Sequence, residues 1–292
     1  MTTSITRRPV CPFRSIAWQL LDGTFGSLKP TTTPKVLNVS RLTRFLSSTI
    51  GQKYLMGITG LLLCGFLVTH LAGNLNVFLG PTVFNGYADK LHALGPLLVV
   101  LEIGLFAVLL LHIVVSILLT ISNRSARGER GYELKESKQD VSVLNAAPRT
   151  WMFISGGIVL VFLIYHVAGM KFGLMDGAEL LSDPGIFRSS EAVEESEEAL
   201  DKIGEIPPYR RVVGILRSPI SAAVYVIGVV VLGFHLSHGF ASAFRSLGIV
   251  HPRYTPLIYR LGLFFAVVIT VGFASIPLYI WAFRVGVPAA GG

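Results

Sequence analysis

The chain has 292 residues, 52% hydrophobic and only 14% charged, whereas soluble domains carry about 25% charged residues; its mean hydropathy is +0.63. That composition excludes a disordered chain, a collagen, a nucleic-acid-binding tail and an ordinary cytosolic enzyme, and two cysteines, Cys11 and Cys64, are too few for a disulfide scaffold or an iron–sulfur cluster housed in this chain. The net charge of +8 gathers in the flanks of apolar runs, which is the pattern of a membrane protein.

Residues 1–50 read as a cytosolic N-terminal extension. The first forty contain no apolar run long enough for a signal-peptide core. They are rich in Arg and Thr with Asp22 as their acid, a composition shared with transit peptides, and Phe13–Leu21 can form a short surface helix. Stretches without Asp, Glu, Lys or Arg follow at Tyr54–Ala88, Ile103–Asn123, Thr150–Met170, Ser218–Phe244 and Leu261–Phe283. Leu91–Leu101 extends the second backwards, with Glu102 as the interruption. A spanning helix needs about 20 largely apolar residues, and Gly80–Pro81 is a natural stop for the first stretch. Five transmembrane helices are therefore expected near 54–79, 97–122, 150–170, 218–243 and 259–283. They make an all-α integral membrane domain over residues 51–284, followed by a short outer tail, 285–292.

Orientation follows from Lys and Arg in short flanks. Arg41, Arg44 and Lys53 precede the first span. Arg124, Arg127, Arg130, Lys135, Lys138 and Arg149 join the second to the third, and Arg245, Arg253 and Arg260 the fourth to the fifth. The connection between spans one and two has Lys90 against Asp89. The long one between three and four (residues 171–217) is acidic, carrying ten of the seventeen carboxylates between Asp176 and Glu205. The N-terminus is thus expected in the cytosol and the C-terminus outside, with Glu191–Asp201 a solvated outer segment.

Ionisable groups at membrane depth are costly and mark functional sites by default. Of the seven histidines, His70, His112, His166, His235 and His238 fall inside predicted spans. His70, His112, His166 and one of His235 and His238 each occupy the second half of one of the first four spans. Because successive spans run in opposite directions, the first and third carry their histidines towards the outside, the second and fourth towards the cytosol. His70 stands 17 residues after Lys53 and His166 17 after Arg149, while His112 stands 12 before Arg124. At 1.5 Å per residue the two pairs lie at levels roughly 10 Å apart. His235, ten residues before Arg245, matches the depth of His112 better than His238, which is only seven before it; His238 reads as a neighbouring or propionate-side group. Two pairs of neutral imidazoles suit two metals with two axial protein ligands each. Haem iron is the obvious candidate, since a porphyrin supplies four ligands and has apolar faces that fit between helices.

A repeat links the first and third spans. Met56, Ile58, Gly60, Phe66, Leu67, His70, Ala72 and Gly73 match Met152, Ile154, Gly156, Phe162, Leu163, His166, Ala168 and Gly169 at one constant offset, and Lys53 matches Arg149. Small residues near each histidine allow a flat ring to approach the backbone.

The segments GQKYLMGITGLLLCGFLVTHLAGNL, LEIGLFAVLLLH, FLIYHVAG and GFHLSHGFASAFRSLGI closely resemble the five-helix, two-haem cytochrome b membrane-anchor subunit of bacterial succinate dehydrogenase and fumarate reductase, over roughly residues 44 to 283. The resemblance implies that two b haems sit in the bundle of the first four helices. His70 and His166 would hold the outer one, and His112 and His235 the inner one, His235 being followed by Gly239 and Arg245–Gly248 as in that family. It also implies an electron-transfer subunit of succinate:quinone oxidoreductase in the bacterial cytoplasmic (inner) membrane, without a dicarboxylate site of its own. On the cytosolic face it would join a flavoprotein carrying FAD and an iron–sulfur protein, and it would pass electrons to a membrane quinone, in the first place menaquinone. The N-terminal extension and the long acidic loop depart from the family pattern.

Quinone reduction consumes protons and needs a titratable group within reach. Glu102 is the carboxylate inside a predicted span, near the outer end of the second, where burial would let it exchange protons near neutrality. Its alternative role is an interfacial acid favoured by a helix N-terminus. Lys53, Arg149, His238, Gln52 and Tyr54 are possible partners for inner haem propionates. Trp151 and Trp281 fit interfacial anchors, and His92 reads as an interfacial histidine in a short loop. Two other function classes fit part of the pattern: a di-haem cytochrome b serving a formate dehydrogenase or hydrogenase, and a transporter whose histidines relay protons.

Overall fold

The structure, a computed structural model, describes residues 41–126, 151–174, 207–283 and 285. A short helix α1 (Arg41–Leu46) leads into α2 (Thr49–Asn74). Ser48 makes the corner by accepting the Gly51 amide hydrogen on its side chain at 3.1 Å, the usual service of an N-cap serine. A 3-10 turn, Leu75–Leu79, extends α2 to the predicted stop. There Gly80 adopts φ 92° and Pro81 opens α3 (Pro81–His92). The same device recurs at once: Gly95 at φ 52° precedes Pro96, the first residue of α4 (Pro96–Ser125). A positive φ suits glycine, and proline suits a first helical turn whose amides have no partner anyway.

The remaining helices are α5 (Trp151–Met170), α6 (Pro208–Arg217), α7 (Pro219–Ser246) and α8 (Thr255–Ala282). Five helices are long and apolar enough to cross a membrane: α2 with its 3-10 extension, α4, α5, α7 and α8. They match the five expected spans; α5 keeps within its apolar run and the other four continue beyond theirs by a few residues at one end or both. The structure adds α3 and α6. The first replaces a connection expected to be a loop, and the second ends the segment 171–217 expected to be an outer loop. Helix α1 and the start of α2 likewise fall inside the span 1–50 expected to be an extension. Residues 1–40, the acidic segment 175–206 and the tail beyond 285 lie outside the described residues.

In hydrocarbon, apolar burial gives little drive for helices to associate, so close approach through small residues carries the packing. Helix α7 is the hub, lying along α8, α5 and α2, while α4 packs chiefly along α2. Gly233 of α7 faces Thr270 of α8, Gly228 faces Phe162 of α5, and Gly57 of α2 faces the Ala243 carbonyl. Leu71, Leu236, Ala266 and Ile269 fill the space between α2, α7 and α8. A second cluster joins Val77, Phe84, Tyr209, Val213, Ile215 and Leu216 to Tyr225, Ile276 and Ile280. It fastens α3 and α6 onto the end of the bundle where α5 ends and α7 begins. Leu97, Val100, Ile103 and Phe106 of α4 are exposed, as a lipid-facing surface requires.

Candidate functional site

Four helices each bring one histidine to the bundle interior, and the structure sorts them into two places. At the first, Thr59 of α2 lies 3.1 Å from Nδ1 of His112 on α4, and Ser155 of α5 lies 3.2 Å from Nδ1 of His235 on α7. Thr59 and Ser155 occupy one repeat position, since they stand at the same offset as Gly60 and Gly156 beside them. Those glycines face the same two rings: a methyl group on Gly60 would meet His112 Cε1 at 3.6 Å, and one on Gly156 would meet His235 Cε1 at 3.4 Å. Among the described residues Thr59 and Ser155 are the buried polar side chains apart from tyrosine, at 3% and 0% exposure. Each hydroxyl also donates into its own helix, Thr59 to the Leu55 carbonyl at 2.7 Å and Ser155 to that of Met152 at 3.2 Å. His112 and His235 lie within electrostatic range of one another.

At the second place His70 of α2 and His166 of α5 meet edge to face, their ring centres 5.8 Å apart. The repeat orders their neighbours too. Phe66 stacks on His70 at 5.0 Å, and its repeat partner Phe162 lies 6.1 Å from His166. Tyr225 adds an edge contact to His166 at 5.7 Å. The hydrogen bonding is much poorer than at the first pair. Asn74 Nδ2 is 3.5 Å from His70 Nδ1 and donates to the His70 carbonyl at 2.8 Å; the longer contact is too weak to orient a ring. His166 Nδ1 and the Tyr225 hydroxyl are buried without a hydrogen-bond partner among the described residues.

The separation of the two places corrects the expected 10 Å. His70 follows Thr59, and His166 follows Ser155, by three helical turns, about 16 Å along each axis. Lys53, from which the expected depth of His70 is counted, stands a full turn inside a helix that begins at Thr49.

The other expected residues fall as follows. Glu102 stands about 15 Å along α4 from His112, at the height of His70 and His166. It is half exposed and paired with Lys171, just past the end of α5, at 2.5 Å, so the burial expected for it is not found. Lys53 is exposed near the start of α2, and Arg149 lies outside the described residues. His238 sits one turn beyond His235 on α7, its Nδ1 3.1 Å from the Phe234 carbonyl; its Nε2 is buried without a partner among the described residues, as is Oε1 of Gln52. Tyr54 is exposed, and His92 ends the helix α3.

Sequence reasoning missed Thr59, Ser155 and Lys171. The first two carried a readable signal, a hydroxyl residue followed by glycine at one repeat position; Lys171 carried none, because its partner is distant in sequence. Among the described residues no three His, Cys, Asp or Glu side chains gather into a metal-binding cluster. Comparison of the chain with protein-family models, with curated proteins and with solved structures finds no match.

Proposed function

We propose that this chain is the membrane-anchor and electron-transfer subunit of a succinate:quinone oxidoreductase, holding two b haems. The observation that carries the reading is the sorting of four intramembrane histidines, one from each of four helices, into two pairs at levels about 16 Å apart along α2 and α5. A pair of imidazoles leaves most of a metal's coordination sphere unfilled, and a porphyrin is the group that supplies the rest. Gly60 and Gly156 clear the space beside His112 and His235. The buried, unpartnered Nε2 of His238 lies one turn from His235 on α7, where a porphyrin's acid groups would need polar neighbours. The residues therefore fit the group.

A haem with both axial positions filled by protein exchanges single electrons and offers substrate no open site. In this reading His112 and His235 hold the inner haem and His70 and His166 the outer one. His238, Lys53 and Arg149 are the inner propionate partners. Glu102, at the height of the outer pair and held by Lys171, exchanges protons with a quinone, in the first place menaquinone, that approaches from the lipid. The basic residues Lys53, Arg124, Arg245 and Arg253 put that end of the bundle in the cytosol, with the N-terminus on the same side. There the chain meets a flavoprotein carrying FAD and an iron–sulfur protein, in a bacterial cytoplasmic membrane.

The test is paired substitution in the membrane-inserted chain, read by redox-resolved visible spectra. His70→Ala and His166→Ala are expected to remove one and the same b-type component, His112→Ala and His235→Ala the other. Loss of the inner component from His238→Ala, with His235→Ala retaining it, overturns the ligand assignment. Isolation of the haem-bearing chain without a flavin-bearing subunit counts against the succinate complex and for a different oxidoreductase.

A further inference from the structure

We propose that Thr59 and Ser155 are positioning residues that fix the tautomer of the inner histidine pair, placing the proton on Nδ1 of His112 and of His235 and leaving each Nε2 lone pair free to bind metal. The consequence for a metal rests on the haem reading; the tautomer does not.

A hydroxyl has one proton. Thr59 gives its proton to the Leu55 carbonyl at 2.7 Å and Ser155 to that of Met152 at 3.2 Å, the back-bonding habit of Ser and Thr in helices. What remains for the histidine is an oxygen lone pair, so in the 3.1 and 3.2 Å contacts the imidazole Nδ1–H donates. A neutral imidazole that donates from one nitrogen presents a lone pair at the other, and such a partner both orients the ring and raises its basicity as a ligand. The device occurs twice, on repeat-related positions of α2 and α5, each time with the next residue a glycine lying against the same ring. Both hydroxyl side chains are almost wholly buried, where water cannot compete for the bond. The outer pair has no equivalent: His70 has only the 3.5 Å contact with Asn74, and His166 Nδ1 has no partner among the described residues.

The test uses the full chain in lipid nanodiscs with ¹⁵N-labelled histidine. Without haem, His112 and His235 (assigned from the spectra of their own variants) are expected as Nδ1–H tautomers, moving to a mixture in Thr59→Val and Ser155→Ala. With haem, each variant is expected to raise the midpoint potential of the same, inner, b-type component and leave the other in place. Each is also expected to weaken retention of that haem about 10- to 100-fold, the usual cost of losing such a partner. Thr59→Ser keeps the oxygen and is expected to behave as the unaltered chain. Nε2–H tautomers in the unaltered chain, or inner potentials that ignore both variants, overturn the proposal. A preparation that never takes up haem contradicts the proposed function instead, and the tautomer spectra alone then decide this inference.

Discussion

Gly228 shows how a single atom can govern the outer histidine pair from a distance. A methyl group there would come within 2.4 Å of the Phe162 ring, and Phe162 in turn touches His166 and Tyr225. The ring as a whole must move, because the colliding atoms include Cγ near its root. Gly228→Ala is expected to cost about 1–3 kcal/mol, the usual range for overpacking, measured by denaturation in detergent. It should also disturb the outer spectral component while sparing the inner one; an unaltered outer component would show that Phe162 does not brace His166. The four histidines were legible as residues because ionisable groups are conspicuous among apolar neighbours. Their hydroxyl partners were not, since Thr and Ser are unremarkable in a spanning helix and become informative only when the fold shows which ring they face.

At the level of elements, the five long helices were legible because a spanning segment must satisfy its own backbone and be apolar over about 20 residues. Helices α3 and α6 lack such a run. Helix α6 buries Tyr209, Val213, Ile215 and Leu216, an apolar stripe at helical spacing; what the fold adds is the surface of α3 and the bundle end that receives it. Its attachment should depend on pH. Burial, with repulsion from Tyr279 second, raises the Tyr209 hydroxyl above the ordinary tyrosine value of 10.0. Ionisation is thus easier when α6 is detached, so attachment is complete below pH 10 and weakens as the pH rises beyond it. Hydrogen exchange of α6 amides, corrected for intrinsic rate, is expected to accelerate above pH 10 in the unaltered chain and to lose that step in Tyr209→Phe. The same acceleration in both would remove Tyr209 from the account.

For the whole molecule, the architecture amounts to one motif used twice. Helices α2 and α5 each contribute a histidine to the outer pair and, three turns away, a hydroxyl and a glycine to the inner pair, while α4 and α7 supply the inner imidazoles. The repeat was legible in the sequence; what it accomplishes was not, because α2 and α5 meet their partners only in the folded bundle. The depth of the two levels was misjudged for a related reason, since basic residues need not stand at the exact ends of their helices. Everything proposed for this protein depends on those two levels holding iron. The decisive measurement is a redox-titrated visible spectrum, with iron quantified, of the chain purified from its native membrane with whatever subunits accompany it. Two separately titrating b-type components and two haem groups per chain are predicted, beside any cluster iron that an iron–sulfur partner brings. A correctly inserted, colourless and iron-free chain would contradict the account.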